Sequence, residues 1–230
     1  MKKLVILSGA GVSAESGVQT FRDSDGLWEG HNVEEVATYD GWIKNKPLVL
    51  DFYNQRRKQL HTVKPNDAHK IIAELEADFD VQIITQNVDN LHEKAGSTNI
   101  LHLHGELLKV RSDATTKIEV YNWEDDLEIG DFDTKGVQLR PHIVWFGEMV
   151  PALEKAVEII ANADVVIVIG TSLQVYPAAS LMHYAPNDCP IYYIDPKPAV
   201  IRDAPLHLKI IEAVGTKGMK TVQKEIMKIK

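Results

Sequence analysis

Cysteine is almost missing from this chain of 230 residues: Cys189 is the only one. No internal disulfide can form, and a metal site built from cysteine thiolates is excluded. Long apolar runs are missing too, since none approaches the ~20 residues needed to span a bilayer. Basic residues are in deficit, with 25 Lys and Arg against 33 Asp and Glu and a formal charge of −8. A nucleic-acid surface normally needs a basic stripe, so that class is disfavoured. A cationic partner such as a lysine-bearing peptide is compatible with the balance. There is no internal repeat, linker or low-complexity tract. The opening MKKLVILSGAG superficially resembles a secretory leader, but its apolar stretch is short. It reads better as a strand end running into a ligand loop, in a soluble, cytoplasmic, monomeric protein.

What is present is a 44% hydrophobic fraction, ample for one large core. Compact apolar runs at Leu4–Leu7, Val81–Thr85, Val165–Ile169 and Ile191–Ile194 predict strands buried on both faces of a parallel sheet. Helical spacing between them predicts helices over Asn66–Asp78, Ala152–Ala163 and Gly218–Ile229. Alternation of this kind implies an open, Rossmann-like α/β sheet with helices on both faces and ligands at the strand C-termini. Two segments interrupt it. Residues 31–64 read as mostly helical, clearest at Pro47–Leu60. Residues 106–139 are acidic and turn-rich, with strands expected at Leu107–Arg111 and Lys117–Tyr121. The expected division is a sheet domain of 1–30, 65–105 and 140–230, and a small domain made from the two excursions.

The densest chemical signal is Gly9 to Trp28, GAGVSAESGVQTFRDSDGLW. Gly9, Gly11 and Ala14 form a G-x-G-x-x-A turn after the first strand. Glycines permit positive φ and close approach, and the amides of a strand-to-helix turn can hold a pyrophosphate. A glycine turn without a ligand gives the same letters. The continuation through Ser13, Glu15, Phe21 and Arg22 is more polar than phosphate binding requires. After the Val81–Thr85 run come Gln86, Asn87, Val88 and Asp89, where amides and a carboxylate could meet a carboxamide and a ribose; a helix start capped by Asn87 or Asp89 is the plainer alternative. His102 and His104 follow, pointing the same way if both lie in a strand. A histidine pair can bind metal, but no third ligand is evident nearby.

Taken together, GAGVSAESGVQTFR, TQNVDNLH, LHGE, PHIVWFGE and GTSLQVYPA resemble, in order and spacing, the sirtuins, NAD-dependent protein-lysine deacylases. The resemblance covers the whole chain. It implies that Gly9, Ala10, Gly11, Ser13 and Glu15 surround the phosphates and ribose of NAD. Phe21 and Arg22 would cover the nicotinamide end, Gln86, Asn87 and Asp89 would bind the nicotinamide ribose and carboxamide, and Trp28 and Val88 would be further cofactor-binding residues. Gly170, Thr171 and Ser172 would complete the phosphate contacts, with Asp195 at the adenine ribose and Gly215 near the adenine. His104 would be the general base, assisted by Asn87 and Asp89. Val144, Trp145 and Phe146 would line the acyl-lysine tunnel, and the backbone of Gly147 and Glu148 would pair with the peptide.

Tyr53 and Arg56 are three residues apart on a predicted helix, so they share a face. Spacing alone favours a solvated face on which Arg56 pairs with an acidic neighbour. The Tyr-x-x-Arg pair with Ala37 resembles the sirtuin subgroup that removes succinyl, malonyl or glutaryl groups, which implies an acidic acyl preference with deacetylation beside it. One departure stands out. Most sirtuins hold a structural zinc with four cysteines after the His-Gly motif; here Arg111-Ser112-Asp113-Ala114-Thr115 replaces the first. No zinc is expected, and the module would rest on a core of Val110, Ile118, Val120, Trp123 and Leu127. Alternative readings are mono-ADP-ribosyl transfer, NAD hydrolysis, and a non-enzymatic ADP-ribose sensor.

Overall fold

The computed structural model describes residues 1–19, 27–28, 30–113 and 118–230, with the backbone alone at Leu27 and Trp28. In chain order the elements begin with β1 (Lys3–Ser8), two 3₁₀ turns at Ala10–Val12 and Ala14–Ser16, β2 (Leu27–Trp28) and β3 (His31–Asn32). Helices α1 (Val33–Val36), α2 (Tyr39–Lys44), α3 (Lys46–Thr62) and α4 (Asp67–Glu74) precede β4 (Asp80–Thr85), α5 (Leu91–Ala95) and β5 (Ile100–His102). Then come β6 (Gly105–Ser112), β7 (Val120–Asn122), β8 (Leu139–Ile143), α6 (Leu153–Ile160) and β9 (Val165–Ile169). A 3₁₀ segment at Ala178–Tyr184, β10 (Ile191–Asp195), β11 (Leu208–Glu212) and α7 (Gly215–Ile226) complete the chain.

The large sheet has the order β11-β10-β9-β1-β4-β5 among the described residues, and every pairing in it is parallel. This is the expected α/β architecture. The apolar runs become its inner strands because alternate residues feed two separate cores. Leu4, Ile6, Ile167 and Ile169 pack with Ile71 and Ile72 of α4 and Met219 and Val222 of α7. Val5, Leu7, Val166 and Val168 pack on the opposite face with Ala156 and Ile160 of α6 and with Leu181. From β1 the chain first adds β4 and β5 on one side, then returns to add β9, β10 and β11 on the other. The reversal opens a crevice at the C-terminal ends of β1 and β9, the place where open α/β sheets bind ligands.

The two excursions pack on one another around a third core. Trp42, Val49, Phe52 and Tyr53 from α2 and α3 meet Leu107, Val110, Leu139 and Trp145 from and beside a small antiparallel sheet, β7-β6-β8. Polar links from the helices tie this module down. Asn54 grips Leu127 at both backbone groups, donating to its carbonyl at 3.0 Å and accepting from its N–H at 2.9 Å. Arg57 donates to the Leu107 carbonyl, and Trp42 Nε1 donates to Asp113 at 2.9 Å. Ser112 donates to Asp133 at 2.7 Å, while the other oxygen of Asp133 accepts the N–H groups of Lys135 and Val137.

Several expectations need correction. Val110 and Leu127 are buried, but Ile118 and Val120 are 52% and 44% exposed, so neither belongs to the module's core. Helix α3, absent from that expectation, supplies the apolar surface instead. The strand expected at Lys117–Tyr121 is β7 at Val120–Asn122, and Lys117 itself lies outside the described residues. β5, β8 and β11 lie beyond the strands expected from the sequence. β5 is only three residues long, β8 contains Pro141, and β11 is an exposed edge, so none carries a compact apolar run. β5 also ends at His102, so His102 and His104 are not successive same-face residues of one strand.

Candidate active site

A cavity of about 520 Å³ lies at the crevice and extends to the small domain. Gly9, Ala10, Gly11 and Glu15 line it from the loop after β1, and Gly170, Thr171 and Ser172 from the loop after β9. The turn after β1 is not a strand-to-α-helix turn: it is the pair of 3₁₀ turns. Nor does positive φ explain the first glycine, since Gly9 is extended at φ −128°. Close approach does. A Cβ on Gly9 would lie 2.8 Å from the Gly170 carbonyl oxygen, and one on Gly11 would lie 2.7 Å from the Gly170 Cα. Gly170 itself has φ +63°, where a side chain is strained. The two loops touch, and Gly11 N–H donates to the Gly170 carbonyl at 2.7 Å.

The turn after β4 brings Gln86, Asn87, Val88 and Asp89 to the same cavity. Buried Ser13 is their anchor: its hydroxyl donates to Asp89 at 2.9 Å and accepts from the Asn87 amide at 3.2 Å. Gln86 donates to Thr171 at 3.2 Å, closing the crevice from the β9 side. Burial pushes the Asp89 carboxyl up, against the Leu91 N–H and Ser13 hydroxyl that hold its anion. Asp89 does accept from the Leu91 N–H at the start of α5, the simpler alternative, and it borders the cavity as well.

His104 lies in the bend between β5 and β6 and lines the cavity. Its Nδ1 is 3.1 Å from the Gln86 carbonyl oxygen. A carbonyl only accepts, so Nδ1 carries the hydrogen and Nε2 is left with a lone pair. Burial lowers the pKa below its ordinary value, the Gln86 contact opposing. A neutral imidazole near neutral pH, with its basic nitrogen fixed by tautomer, is what a general base requires.

On the small-domain side the cavity wall includes Ala37, Tyr53 and Arg56 together with Val144, Trp145, Phe146, Gly147 and Glu148. Tyr53 is fully buried and its oxygen accepts from Trp145 Nε1 at 2.9 Å. Burial drives its phenol far above the ordinary range, so it stays a protonated donor. The Arg56 guanidinium lies 3.7 Å from the centre of the Phe52 ring and donates to the Phe52 carbonyl at 2.6 Å. Phe146 N–H donates to the Ala37 carbonyl, which joins α1 to the segment after β8.

Asp195 and Gly215 reach the cavity from β10 and α7. Asp195 accepts from the Lys197 N–H at 2.7 Å. Phe21 and Arg22, expected at the nicotinamide end, lie outside the described residues; so does the side chain of Trp28.

Some participants escaped sequence reasoning. Thr216 binds both oxygens of Glu15, through its N–H at 3.0 Å and its hydroxyl at 2.8 Å, and so holds the glycine loop against α7. Arg140 and Arg111 both donate to the Glu148 carboxylate, and Arg140 stacks 3.6 Å from the centre of the Trp145 ring. Burial opposes charge on Glu148, but the two guanidiniums and the Trp145 N–H outweigh it and keep its pKa low. Its carboxylate thus fixes this part of the cavity wall. No local pattern signals these pairs, whose members meet only in the fold. For His102 the missing third ligand type is present after all: among the described residues, Glu93, His102 and Glu106 form the one group able to converge on a metal ion, and His104 is not in it.

Comparison with known proteins bears on the family and the fold. The Sir2 family pattern matches residues 9–177. A Helicobacter pylori protein (strain ATCC 700392 / 26695) named NAD-dependent protein deacylase is 64% identical over 197 residues, 86% of each chain. The chain belongs to the Sir2 family. A protein from Bacteroides thetaiotaomicron, also named NAD-dependent protein deacylase, is 55% identical over 86% of this chain and 87% of its own. A solved Sir2 homologue in complex with NAD superposes with a TM-score of 0.85 at 39% identity, covering 99% of this chain and 90% of that one. With Cys189 as sole cysteine, a cysteine-held zinc cannot form in this sirtuin. Among the described residues no helix is long and apolar enough to cross a membrane.

Proposed function

We propose that this protein is an NAD-dependent protein-lysine deacylase that yields nicotinamide, O-acyl-ADP-ribose and free lysine, with preference for short acidic acyl groups. The observation that carries the reading is convergence. One cavity collects a histidine base of fixed tautomer, an amide–hydroxyl–carboxylate array and a tunnel wall of Trp145 and Phe146. The donor set suits NAD: glycine-loop backbone, the Thr171 and Ser172 hydroxyls, two amides and Asp195 all border the same space. Bound NAD supplies an ADP-ribosyl group whose bond to nicotinamide can break. The chain's part is to orient, exclude water and move a proton. Gln86, Asn87 and Asp89 hold the ribose end, with Ser13 the shared partner of Asn87 and Asp89 and Thr171 the partner of Gln86. Apolar walls from Ile143, Val144 and Trp145 desolvate the acyl-lysine. His104 accepts the proton of a ribose hydroxyl at Nε2, contributing a factor of about 10²–10⁴.

The acyl preference rests on Tyr53 and Arg56. Both border the cavity beside small Ala37, and a phenol with a guanidinium offers two donors to a carboxylate. The acylated lysine side chain of a protein or peptide is the partner this reading requires. A panel of acetyl-, malonyl-, succinyl- and glutaryl-lysine peptides, scored by NAD-dependent nicotinamide release, tests it. The acidic acyl peptides should give the higher kcat/KM. Arg56→Met should lower succinyl turnover by about tenfold or more, the size of one lost charge-assisted contact, and leave acetyl turnover nearly unchanged. An unchanged succinyl-to-acetyl ratio in that variant defeats the specificity assignment.

A further inference from the structure

A second, smaller hollow of about 250 Å³ shares Val88 and Asp89 with the main cavity, and His102 and Glu93 line it. Nothing in the proposed chemistry uses them. The His102 ring is held at both nitrogens: Nδ1 lies 3.0 Å from the Asn87 carbonyl oxygen and Nε2 lies 2.8 Å from the Glu93 carboxylate. A carbonyl and a carboxylate are both acceptors, so both ring nitrogens must donate. The site is built for an imidazolium.

Its surroundings agree. Glu93 and His92 face it from α5, Glu106 and Lys109 from β6, Asp89 from the turn after β4, and Glu124 across the hollow. Lys109 is taken up by Glu106 at 2.7 Å, and His92 is buried with its pKa pushed well down, hence uncharged. Carboxylates therefore dominate around a side chain only 9% exposed. Burial opposes the His102 charge, and Glu93, the Asn87 carbonyl and Glu106 outweigh it.

We propose that Glu93 and His102 form a positioning pair for the catalytic turn. The imidazolium fixes the Asn87 carbonyl and places positive charge opposite the buried Asp89 carboxylate, so that Asn87, Ser13 and Asp89 remain one hydrogen-bonded array. This rests on the deacylase reading of Asn87 and Asp89. It also links that array to pH. The charge is present below the pKa of His102 and lost above it, and without it, among the described residues, the Leu91 N–H and the Ser13 hydroxyl are left to hold the Asp89 anion.

The test uses full-length wild type, Glu93→Gln and His102→Asn. The NMR titration of the His102 ring is read in wild type and Glu93→Gln, with His102→Asn assigning the signal. All three proteins are compared in pH profiles of kcat/KM for NAD with an acyl-lysine peptide. Glu93→Gln should lower the His102 midpoint by about one pH unit, as loss of a contacting carboxylate does, and move the alkaline limb down with it. His102→Asn retains an N–H but no charge, and should lose about tenfold in kcat/KM at an unchanged melting temperature. Superimposable pH profiles, an unmoved His102 midpoint, or stoichiometric metal at Glu93, His102 and Glu106 in the purified protein would each overturn the pair. A wild type that releases no nicotinamide sinks the deacylase reading and the pair's role with it; an active wild type with unaltered variants sinks the pair alone.

Discussion

Lowering the pH from 7.5 to 5 should weaken this fold through a histidine outside the cavity lining. His69 on α4 is fully buried, packs edge-on against His92 with ring centres 4.9 Å apart, and has no hydrogen-bond partner at either nitrogen among the described residues. Burial lowers its pKa from 6.5 to about 4, with Glu93 only partly compensating. The folded protein therefore keeps the ring neutral while the unfolded chain takes up a proton first. Stability is complete above pH 6.5 and is lost as pH falls toward 4. At 1.36 kcal/mol per pH unit the full gap is worth roughly 3 kcal/mol, of which about 2 kcal/mol is lost by pH 5. Urea unfolding of wild type and His69→Leu at both pH values isolates the effect. His142, also lowered to about 4, and buried His92 add their own acid sensitivity to both proteins. The variant should lose about 2 kcal/mol less than wild type over that interval, whatever its stability at pH 7.5. Equal losses in the two proteins would show that His69 is not held neutral and would refute the reasoning.

Three further outcomes follow from the same geometry. His104→Ala should cut lysine release by about 10²–10⁴ while ADP-ribose binding, measured by calorimetry, persists; near wild-type turnover removes His104 from the mechanism. Asn54→Ala breaks two hydrogen bonds to the buried Leu127 backbone and should cost about 2–4 kcal/mol in chemical denaturation. A change below the error of that measurement would mean the small module does not depend on α3. Gly11→Ala places a methyl 2.7 Å from the Gly170 Cα, so the two loops must separate. NAD-induced thermal stabilisation should fall to near zero, and a retained shift would show that the loops need not touch.

The sequence alone was sufficient for the four inner strands of the large sheet and for the ligand loop, because both are written in local pattern. The apolar runs at Leu4–Leu7 and Val165–Ile169 have one stable use, burial on both faces, and the glycine spacing with Gln86–Asp89 and His104 marked the strand ends that meet at the crevice. The weaker strands were not legible: β8 carries Pro141, and β11 presents Ile210 at 49% exposure. Even for the glycines, the reason emerged only in three dimensions. Gly9 is required by contact with Gly170 and Thr171, residues some 160 positions away in the chain, and not by its own φ.

Tertiary structure decided what each polar side chain does. Ser13 becomes the hinge between Asn87 and Asp89, Glu15 is tied to Thr216, and Glu148 is clamped by Arg111 and Arg140. His102 and His104, two residues apart with the same chemistry, are separated into different surroundings by the end of β5. Burial and partner geometry set protonation and tautomer, and both depend on groups far apart in sequence. Local pattern determines which backbone segments can form; only their packing determines which proton each side chain keeps.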